Sequence, residues 1–452
     1  RGLGDVYKRQ EDCIVKDSQI ISVRESQVGA CSTTGGVIGG MQKGQVINCD
    51  IMNSTINGRG TNIAGIVGVN TGNQTIEDCD VIDCIITDED MTTLYYSMAR
   101  GGITGTILGE GIYKNCTVKN TDMNVRASSI GGIAGSNGNK TSIEECIVDN
   151  VNIYAGKHAT ELTNNSSDIS DTVAGIIGTI SCYDKNINNS INTCTVKNTN
   201  IESVTDNIGG IIGNVNITTE INDCTIEKVD LIQKNETALI EACKEYPRTV
   251  GGIIAVVTDK EKDWRGNFTY LSNEITINNP IVKDLDIIVK AGEESTIHTG
   301  GLIGYAKKAQ IDNAQIGGTK EDGTAIKGIN IENNTPKGLI GGICAVASDE
   351  SASASSTDAE IKITNSNISN SEMTGKNHIG GGIGFSTIAE VEGLTVNKTN
   401  LTTEGDGIVG GIAGVITNTT SELAGTSQRT SKITIKTSKL TDVVKAGLNY
   451  VS

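Results

Sequence analysis

Short runs of alternating apolar and polar residues fill the chain, and they recur with a minimal repeat of about 30 residues. One block has the form apolar-Gly-Gly-apolar-x-Gly and occurs as GGIAG from Gly131, AGIIG from Ala174 and GGIIG from Gly209. Eleven blocks of this kind begin 29 to 49 residues apart, so the longer intervals contain insertions. A fixed minimal repeat with variable additions is typical of a solenoid.

A second block follows the glycine block and has the form I-x-x-C-x-V, as in IEDCDV from Ile76 and INDCTI from Ile221. Inward residues lie two apart within a straight strand, but the next apolar pair begins three residues after the first. The chain must therefore turn between the two pairs. Asn or Asp stands at this position in most repeats, for example Asn120 and Asn150, and both residue types tolerate left-handed backbone angles.

Alignment of the second block places one small residue per repeat in the same inward column. Its first seven members are Cys13, Cys49, Cys79, Cys116, Cys146, Cys194 and Cys224. Near-identical coils of three short strands predict an all-β, right-handed parallel β-helix of about eleven to twelve coils. We expect one continuous domain over residues 11–452, in which scarce proline preserves the hydrogen bonds between strands.

The first ten residues, RGLGDVYKRQ, resemble the in-frame translation of a transposon-based sequencing adapter. We therefore exclude residues 1–10 from the expected fold and expect the native chain to be truncated upstream. The position of Cys13 agrees with this expectation, because its repeat lacks a preceding glycine block.

Insertions lengthen several repeats and are the expected sites of variation, since the stacked coils are fixed by their neighbours. Those before a glycine block should line one edge of the rod, whereas the insertion that follows Gly251 should leave at another corner. The insertions lie near residues 87–100, 154–173, 232–250, 258–270, 347–360 and 417–431.

Composition excludes several classes of function. The 37 Lys and Arg against 54 Asp and Glu give a net charge of −17, which argues against binding to nucleic acid. No run of about 18 apolar residues is present, so we expect no membrane span in this fragment. The chain has only 3% aromatic residues, which suits a thin core of Ile, Val, Cys and Gly.

Twelve cysteines raise the question of a metal site, but no C-x₂-C pair is present. We interpret the seven column cysteines as a structural ladder of reduced, shielded thiols, and we expect neither a metal nor a cofactor. The three histidines, His158, His298 and His378, fall before glycine blocks and are interpreted as solvated loop residues. The acidic runs around Asp88 and Asp259 are interpreted as solvated loops as well.

One insertion differs from the rest, because TDKEKDWRGNFTY from Thr258 contains the only tryptophan. Its residues Trp264, Arg265, Phe268 and Tyr270 are candidates for a sugar-stacking platform. The alternative is a local core that packs the insertion onto the rod. Tyr95 and Tyr96 in an earlier insertion are a second candidate platform.

The pattern GGIIG followed by a spacer and INDC resembles the GLUG-motif repeat of bacterial surface and secreted proteins, including large adhesins. The resemblance covers nearly all of residues 11–452 and is weaker after Gly251, where the column loses cysteine. The aromatic residue that often follows the family's cysteine is replaced, for example by Asp50 or Thr117. The family implies export to the cell surface but no defined enzymatic activity.

These observations favour a non-enzymatic, extracellular β-helix rod that presents loops to a glycan or a cell-surface partner. One alternative is a polysaccharide lyase or glycoside hydrolase built on the same scaffold, which needs clustered carboxylates on one outer face. Another alternative is a passive structural spacer within a larger surface protein.

Overall fold

A computed structural model describes most of the chain, and every regular element within the described ranges is a β-strand. The described residues are 8–22, 33–58, 60–88, 99–156, 172–182, 187–204, 207–235, 248–258, 260–262, 268–270, 274–292, 295–347, 360–416, 432–446 and 449–450. Strands pair in parallel with their equivalents one repeat later, for example Thr104–Ile107 with Ala134–Asn137. The predicted right-handed parallel β-helix is therefore confirmed.

Three long parallel sheets make up the rod. Sheet 1 has 28 strands: Lys8–Lys16, Gln19–Ser22, Gly44–Met52, Thr55–Gly58, Gln74–Glu77, Asp80–Ile82, Ile85–Asp88, Gly111–Lys114, Thr117–Lys119, Asp122–Val125, Thr141–Glu144, Ile147–Asp149, Asn152–Ala155, Asn189–Asn192, Thr195–Ser203, Thr219–Asn222, Thr225–Asn235, Ile275–Asn278, Ile281–Ala291, Lys308–Asp312, Gln315–Ile316, Ile329–Asn333, Glu360–Thr364, Asn367–Gly375, Ile388–Glu392, Thr395–Thr403, Lys432–Lys436 and Lys439–Ala446.

Sheets 2 and 3 contain the two halves of the glycine blocks. Sheet 2 has 12 strands: Thr33–Gly35, Asn62–Ala64, Ala99–Gly101, Ser129–Gly131, Thr172–Ala174, Asn207–Gly209, Arg248–Gly251, Ile297–Gly300, Ile340–Gly341, Ile379–Gly380, Ile408–Gly410 and Asn449–Tyr450. Sheet 3 has 11 strands: Ile38–Met41, Val67–Asn70, Thr104–Ile107, Ala134–Asn137, Ile177–Ile180, Ile212–Val215, Ile254–Val257, Ile303–Ala306, Cys344–Ala347, Ile383–Ser386 and Ala413–Ile416.

The strands within one coil are shorter and more numerous than the three that the sequence indicated. The coil over residues 62–88 contains Asn62–Ala64, Val67–Asn70, Gln74–Glu77, Asp80–Ile82 and Ile85–Asp88. A bend at the glycine pair divides the glycine block into two strands. A further strand precedes the cysteine, so two turns rather than one interrupt sheet 1 within this coil.

Both turns in sheet 1 use left-handed residues. The predicted corner after the cysteine has positive φ at Asp17, Asn53, Asp83, Asn120, Asn150, Asn198, Lys228, Asp284, Asn370, Lys398 and Asp442. The corner before the cysteine was not predicted and has positive φ at Asp12, Asn48, Asp78, Asn115, Glu145, Thr193, Asp223, Asn279, Asn313, Asn365 and Thr437. Asn and Asp dominate both lists because their short side chains tolerate this conformation.

Side chains at these corners bond from one coil to the next. Asn120 Nδ2 donates to Asp83 Oδ1 at 3.0 Å, and Asn150 Nδ2 donates to Asn120 Oδ1 at 2.9 Å. The corner before the cysteine does the same, with Asn115 Nδ2 donating to Asp78 Oδ1 at 2.6 Å. Each corner is therefore a polar ladder that satisfies much of its own hydrogen-bonding capacity.

The glycine pair is required by close stacking rather than by an unusual backbone angle. A Cβ atom on Gly132 would overlap the carbonyl oxygen of Gly175 in the next coil and would press on Val148 Cγ2 at 2.9 Å. Gly102 faces the carbonyl oxygen of Gly132 in the same way. Successive coils therefore approach closely at this bend only because no side chain separates them.

Inward rows of Ile, Val and Cys form the core along the rod. In the coil around Cys146, the side chains of Ile143, Val148, Val151 and Ile153 are all fully buried. Burial of each such side chain contributes about 1.5–3 kcal/mol, so many equivalent coils sum to a stable rod without large aromatic residues.

The insertions follow strands at two different corners of the rod. Those around residues 89–98, 157–171 and 236–247 connect the end of sheet 1 to the start of sheet 2. Those around residues 259–273 and 348–359 instead connect sheet 3 to sheet 1. The strand Lys8–Lys16 pairs with Gly44–Met52, so it includes three residues of the segment interpreted as adapter, and the origin of that segment stays a prediction.

Candidate functional site

An open groove of about 860 Å³ lies on the outer face of sheet 1, where the strands from residues 281 to 404 stack. Its lining includes both strand faces and both flanking corners, over four successive coils. Except for Ile288, the outward side chains are amides, hydroxyls, carboxylates and amines. They are Ile288, Lys290, Lys327, Asn330, Glu332, Asn334, Glu372, Thr374, Lys398, Asn400 and Glu404.

An acid–amide row passes through the groove. At this outward position of sheet 1, eight successive coils each carry a carboxylate or a carboxamide. Its members, in register from coil to coil, are Asp122, Asn152, Asn200, Asp230, Asp286, Asn330, Glu372 and Asn400. The outward row two residues further on has no such uniformity, since it contains Tyr154, Ile232 and Thr374.

The acid–amide row differs from the corner ladders because it satisfies little of its own hydrogen-bonding capacity. Asn152 Nδ2 donates to Asp122 Oδ1 at 2.8 Å. In the groove itself, Asn330, Glu372 and Asn400 have no side-chain hydrogen bond to the described residues. These acceptors and donors are consequently available to a molecule that enters the groove.

Lys327 stands at the edge of the groove and is held by two aspartates. Its Nζ lies 2.9 Å from Asp286 Oδ1 and 3.0 Å from Asp284 Oδ1. Burial alone lowers the pKa of Lys327, but the hydrogen bonds to Asp286 and Asp284 outweigh it and raise the pKa. Partial burial raises the pKa of Asp230, and the neighbouring charges of Asp286 and Asp284 raise it further.

The remaining charges of the groove are not neutralised within the described structure. Lys290 and Lys398 make no ion pair with a described carboxylate, and neither Glu332 nor Glu404 pairs with a described cation. Unpaired charges of both signs therefore face the same open space. Such a surface offers strong hydrogen bonds to a ligand without a large cost of breaking existing pairs.

Little in the sequence predicted this site. An antiparallel pair, Gly318–Thr319 with Ala325–Ile326, projects beside Lys327 and was not among the expected insertions. Asn370 Nδ2 donates to Ile326 O at 3.1 Å and so ties this hairpin to the next coil. The Gly-rich, charged run from Gly317 to Gly328 was the available signal for it.

Only a small part of the two predicted aromatic platforms lies within the described residues. Trp264, Arg265, Tyr95 and Tyr96 lie outside the described residues. The short strand Phe268–Tyr270 pairs antiparallel with Lys260–Lys262. The side chains of Phe268 and Tyr270 lie outside the described part of the chain. These residues therefore stay predictions as binding residues.

The structure places the column cysteines in one inward row. Cys49, Cys79, Cys116, Cys146, Cys194 and Cys224 are fully buried, and none is in a disulfide. Cys13 is half-buried in the first described coil, so the expectation of uniform shielding was wrong for this residue. Burial is the largest cause that raises the pKa of Cys49, to about 11.

The interpretation of the acidic runs as solvated loops is wrong for Asp88. It is not a solvated loop residue, because its side chain is 4% exposed and lies 3.2 Å from Arg100 Nε. Asp88 ends one strand and Arg100 lies within the next, on either side of residues 89–98. An acidic pattern alone does not distinguish a buried partner of arginine from a solvated carboxylate.

The interpretation of the histidines as solvated loop residues is wrong for His298. It is 1% exposed within a strand of sheet 2, and its Nδ1 accepts a hydrogen bond from Leu339 N at 3.1 Å. Burial lowers the pKa of His298 to about 4. His378 Nδ1 accepts from Ile408 N at 2.9 Å in the same way, and His158 lies outside the described residues.

The described ranges lack two further kinds of feature. They contain no group of three or more His, Cys, Asp or Glu side chains placed to hold a metal ion. They also contain no helix with the length and apolar character that crossing a bilayer requires.

Comparison with known proteins adds one structural likeness. A solved protein from Bacteroides ovatus, described as a "putative immunoglobulin A1 protease", is 17% identical, with a TM-score of 0.28. The match covers 58% of this chain and 87% of that chain. No protein-family model and no curated protein matches the chain.

Proposed function

We propose that this protein is an extracellular β-helix rod that binds carbohydrate at a cell surface without transforming it. The observation that carries the proposal is the open groove on sheet 1, whose amides and charges have few partners of their own. Sugar hydroxyls both donate and accept hydrogen bonds, so they match a surface that offers carboxylate and amide oxygens together with lysine amines. The resemblance to GLUG-motif surface proteins supports the extracellular location.

A binding screen tests this proposal. The full chain is applied to immobilised neutral and acidic glycans and to intact bacterial and epithelial cells. Binding to at least one glycan class, competed by the same soluble glycan, is the expected result. The absence of binding to any glycan or cell would favour the alternative of a passive spacer.

Glycoside hydrolysis is the second candidate, because the groove contains carboxylates on neighbouring strands. Glu372 pairs in register with Asn330, so Glu332 lies two residues further along the adjacent strand and on the same outer face. A glycosidase requires at least two carboxyl groups, which act on the same glycosidic bond. Prolonged incubation with each bound oligosaccharide should release no new reducing ends, and their release would show that the rod is an enzyme.

A further inference from the structure

The acid–amide row runs along the rod axis, and this orientation limits which ligands can bind to several of its members at once. Its eight members lie one above another along the rod axis, one per coil. Equivalent strands in adjacent coils are about 4.8 Å apart, so the row presents side-chain oxygens at that regular interval. A ligand that satisfies successive members must itself repeat over a similar distance.

The residues on the two sides of the groove also favour a ligand that lies along the rod axis. Lys327 and Lys398 stand at the corner where the lining strands begin, and Asn334 and Glu404 stand where they end. The row runs between these two sides, from Asn330 through Glu372 to Asn400. A linear molecule would therefore cross the strands rather than follow one of them.

The charge of the row limits the chemistry of the ligand. Asp122, Asp230, Asp286 and Glu372 are acidic members, and only Asp286 is paired with a described lysine. An anionic polymer along the whole row would meet repulsion at several coils. Hydroxyl groups can donate to the carboxylates and exchange both kinds of hydrogen bond with the amides.

From these observations we propose that the acid–amide row is the binding track for a linear, uncharged polysaccharide, which lies parallel to the rod axis with about one sugar per coil. This inference rests on the proposed function and specifies the class and orientation of its ligand. The groove over Asn330, Glu372 and Asn400 spans four coils of the track, so it should hold about four sugars.

Chain-length dependence tests the orientation. Calorimetric titration of the full chain uses neutral gluco-, xylo- and manno-oligosaccharides of two to eight sugars, with an oligogalacturonate and an oligolysine peptide as charged probes. For at least one neutral series, affinity should rise steeply up to about four sugars and more gradually beyond. Equal affinity for all lengths, or preference for either charged probe, would overturn the proposal.

Matched variants test the location. Glu372→Ala and Asn330→Ala should each weaken binding of the tetrasaccharide by about tenfold, as expected for a lost hydrogen bond to a polar ligand. Glu220→Ala is the control, because Glu220 is an exposed outward residue of sheet 1 in another row. Melting temperatures of all three variants should match that of the parent chain.

The outcomes separate this inference from the proposed function. If no glycan binds, the proposed function fails. If glycans bind with unchanged affinity to Glu372→Ala and Asn330→Ala but not to Trp264→Ala, the track is wrong and the predicted aromatic platform is the site. Loss of binding in the Glu220→Ala control to the same extent would also contradict the track.

Discussion

Arg100 Nε lies 3.2 Å from Asp88 Oδ2 inside the core of the rod, and both side chains are almost completely buried. Arg100 occupies an inward position that is Ile63 in the coil before it and Ile130 in the coil after it. Burial raises the pKa of Asp88 even though Arg100 is beside it. The pair therefore replaces an apolar contact between the two strands that flank residues 89–98 in the sequence.

Removal of one partner should be much more harmful than removal of both. Arg100→Ile leaves a buried carboxylate without its cation and should lower the free energy of unfolding by about 3–5 kcal/mol. The double variant Asp88→Val, Arg100→Ile matches Val125 and Ile130 of the next coil and should regain most of that loss. Urea unfolding of the parent, single and double variants measures this cycle, and additive losses would contradict the interpretation.

His298 should make stability depend on pH in a defined window. Its folded pKa of about 4 lies below the ordinary histidine value of 6.5, so the unfolded chain binds a proton first as pH falls. The contribution of neutral His298 to the free energy of unfolding is complete above pH 6.5. This contribution falls by about 3 kcal/mol as the pH is lowered from 6.5 to about 4. Urea unfolding from pH 4 to pH 7.5 measures it.

The control for this dependence comes from the equivalent position two coils earlier. Asn207 Oδ1 accepts a hydrogen bond from Thr249 N at 2.9 Å, in the same role that His298 Nδ1 has toward Leu339 N. His298→Asn should therefore preserve the hydrogen bond at pH 7.5 and flatten the pH dependence by about 3 kcal/mol. An unchanged slope would show that other groups cause the acid sensitivity.

The glycine bend should tolerate no side chain. Gly132→Ala places a methyl group against the carbonyl oxygen of Gly175, so the coils must separate and the free energy of unfolding should fall by about 3 kcal/mol. Gly292→Ala is the matched control, because a Cβ atom there meets nothing within 4 Å. Thermal unfolding compares the two, and equal melting temperatures would show that the coils can adjust.

The periodic part of the fold was predictable because it is repeated in every coil. The corner at Asn120 could be inferred from the odd step between apolar pairs, and its φ of 48° agrees. The corner at Asn115 was missed although the same signal was present, because the buried residues Tyr113 and Cys116 are also three positions apart. An odd step between inward positions therefore marks both corners.

The candidate site was not predictable from local motifs. Asn330 and Glu372 are 42 residues apart and unremarkable within their own segments, and only the register of the coils brings them into one row. His298 and Asp88 were misinterpreted for a related reason. Their position next to insertions indicated solvent, whereas the strands extend into those segments and carry both side chains into the interior.

The cysteine row should react in order of exposure. Cys13 is half-buried, whereas Cys49 and Cys146 are fully buried. Burial also raises the pKa of Cys49 to about 11, which suppresses the reactive thiolate at neutral pH. Brief alkylation of the native chain with iodoacetamide, followed by peptide mass spectrometry, should therefore modify Cys13 well before either of the others. In denaturant the three should react at similar rates, which controls for intrinsic reactivity. Alkylation of Cys146 as fast as Cys13 in the native chain, or recovery of Cys146 in a disulfide, would contradict a packed row of reduced thiols.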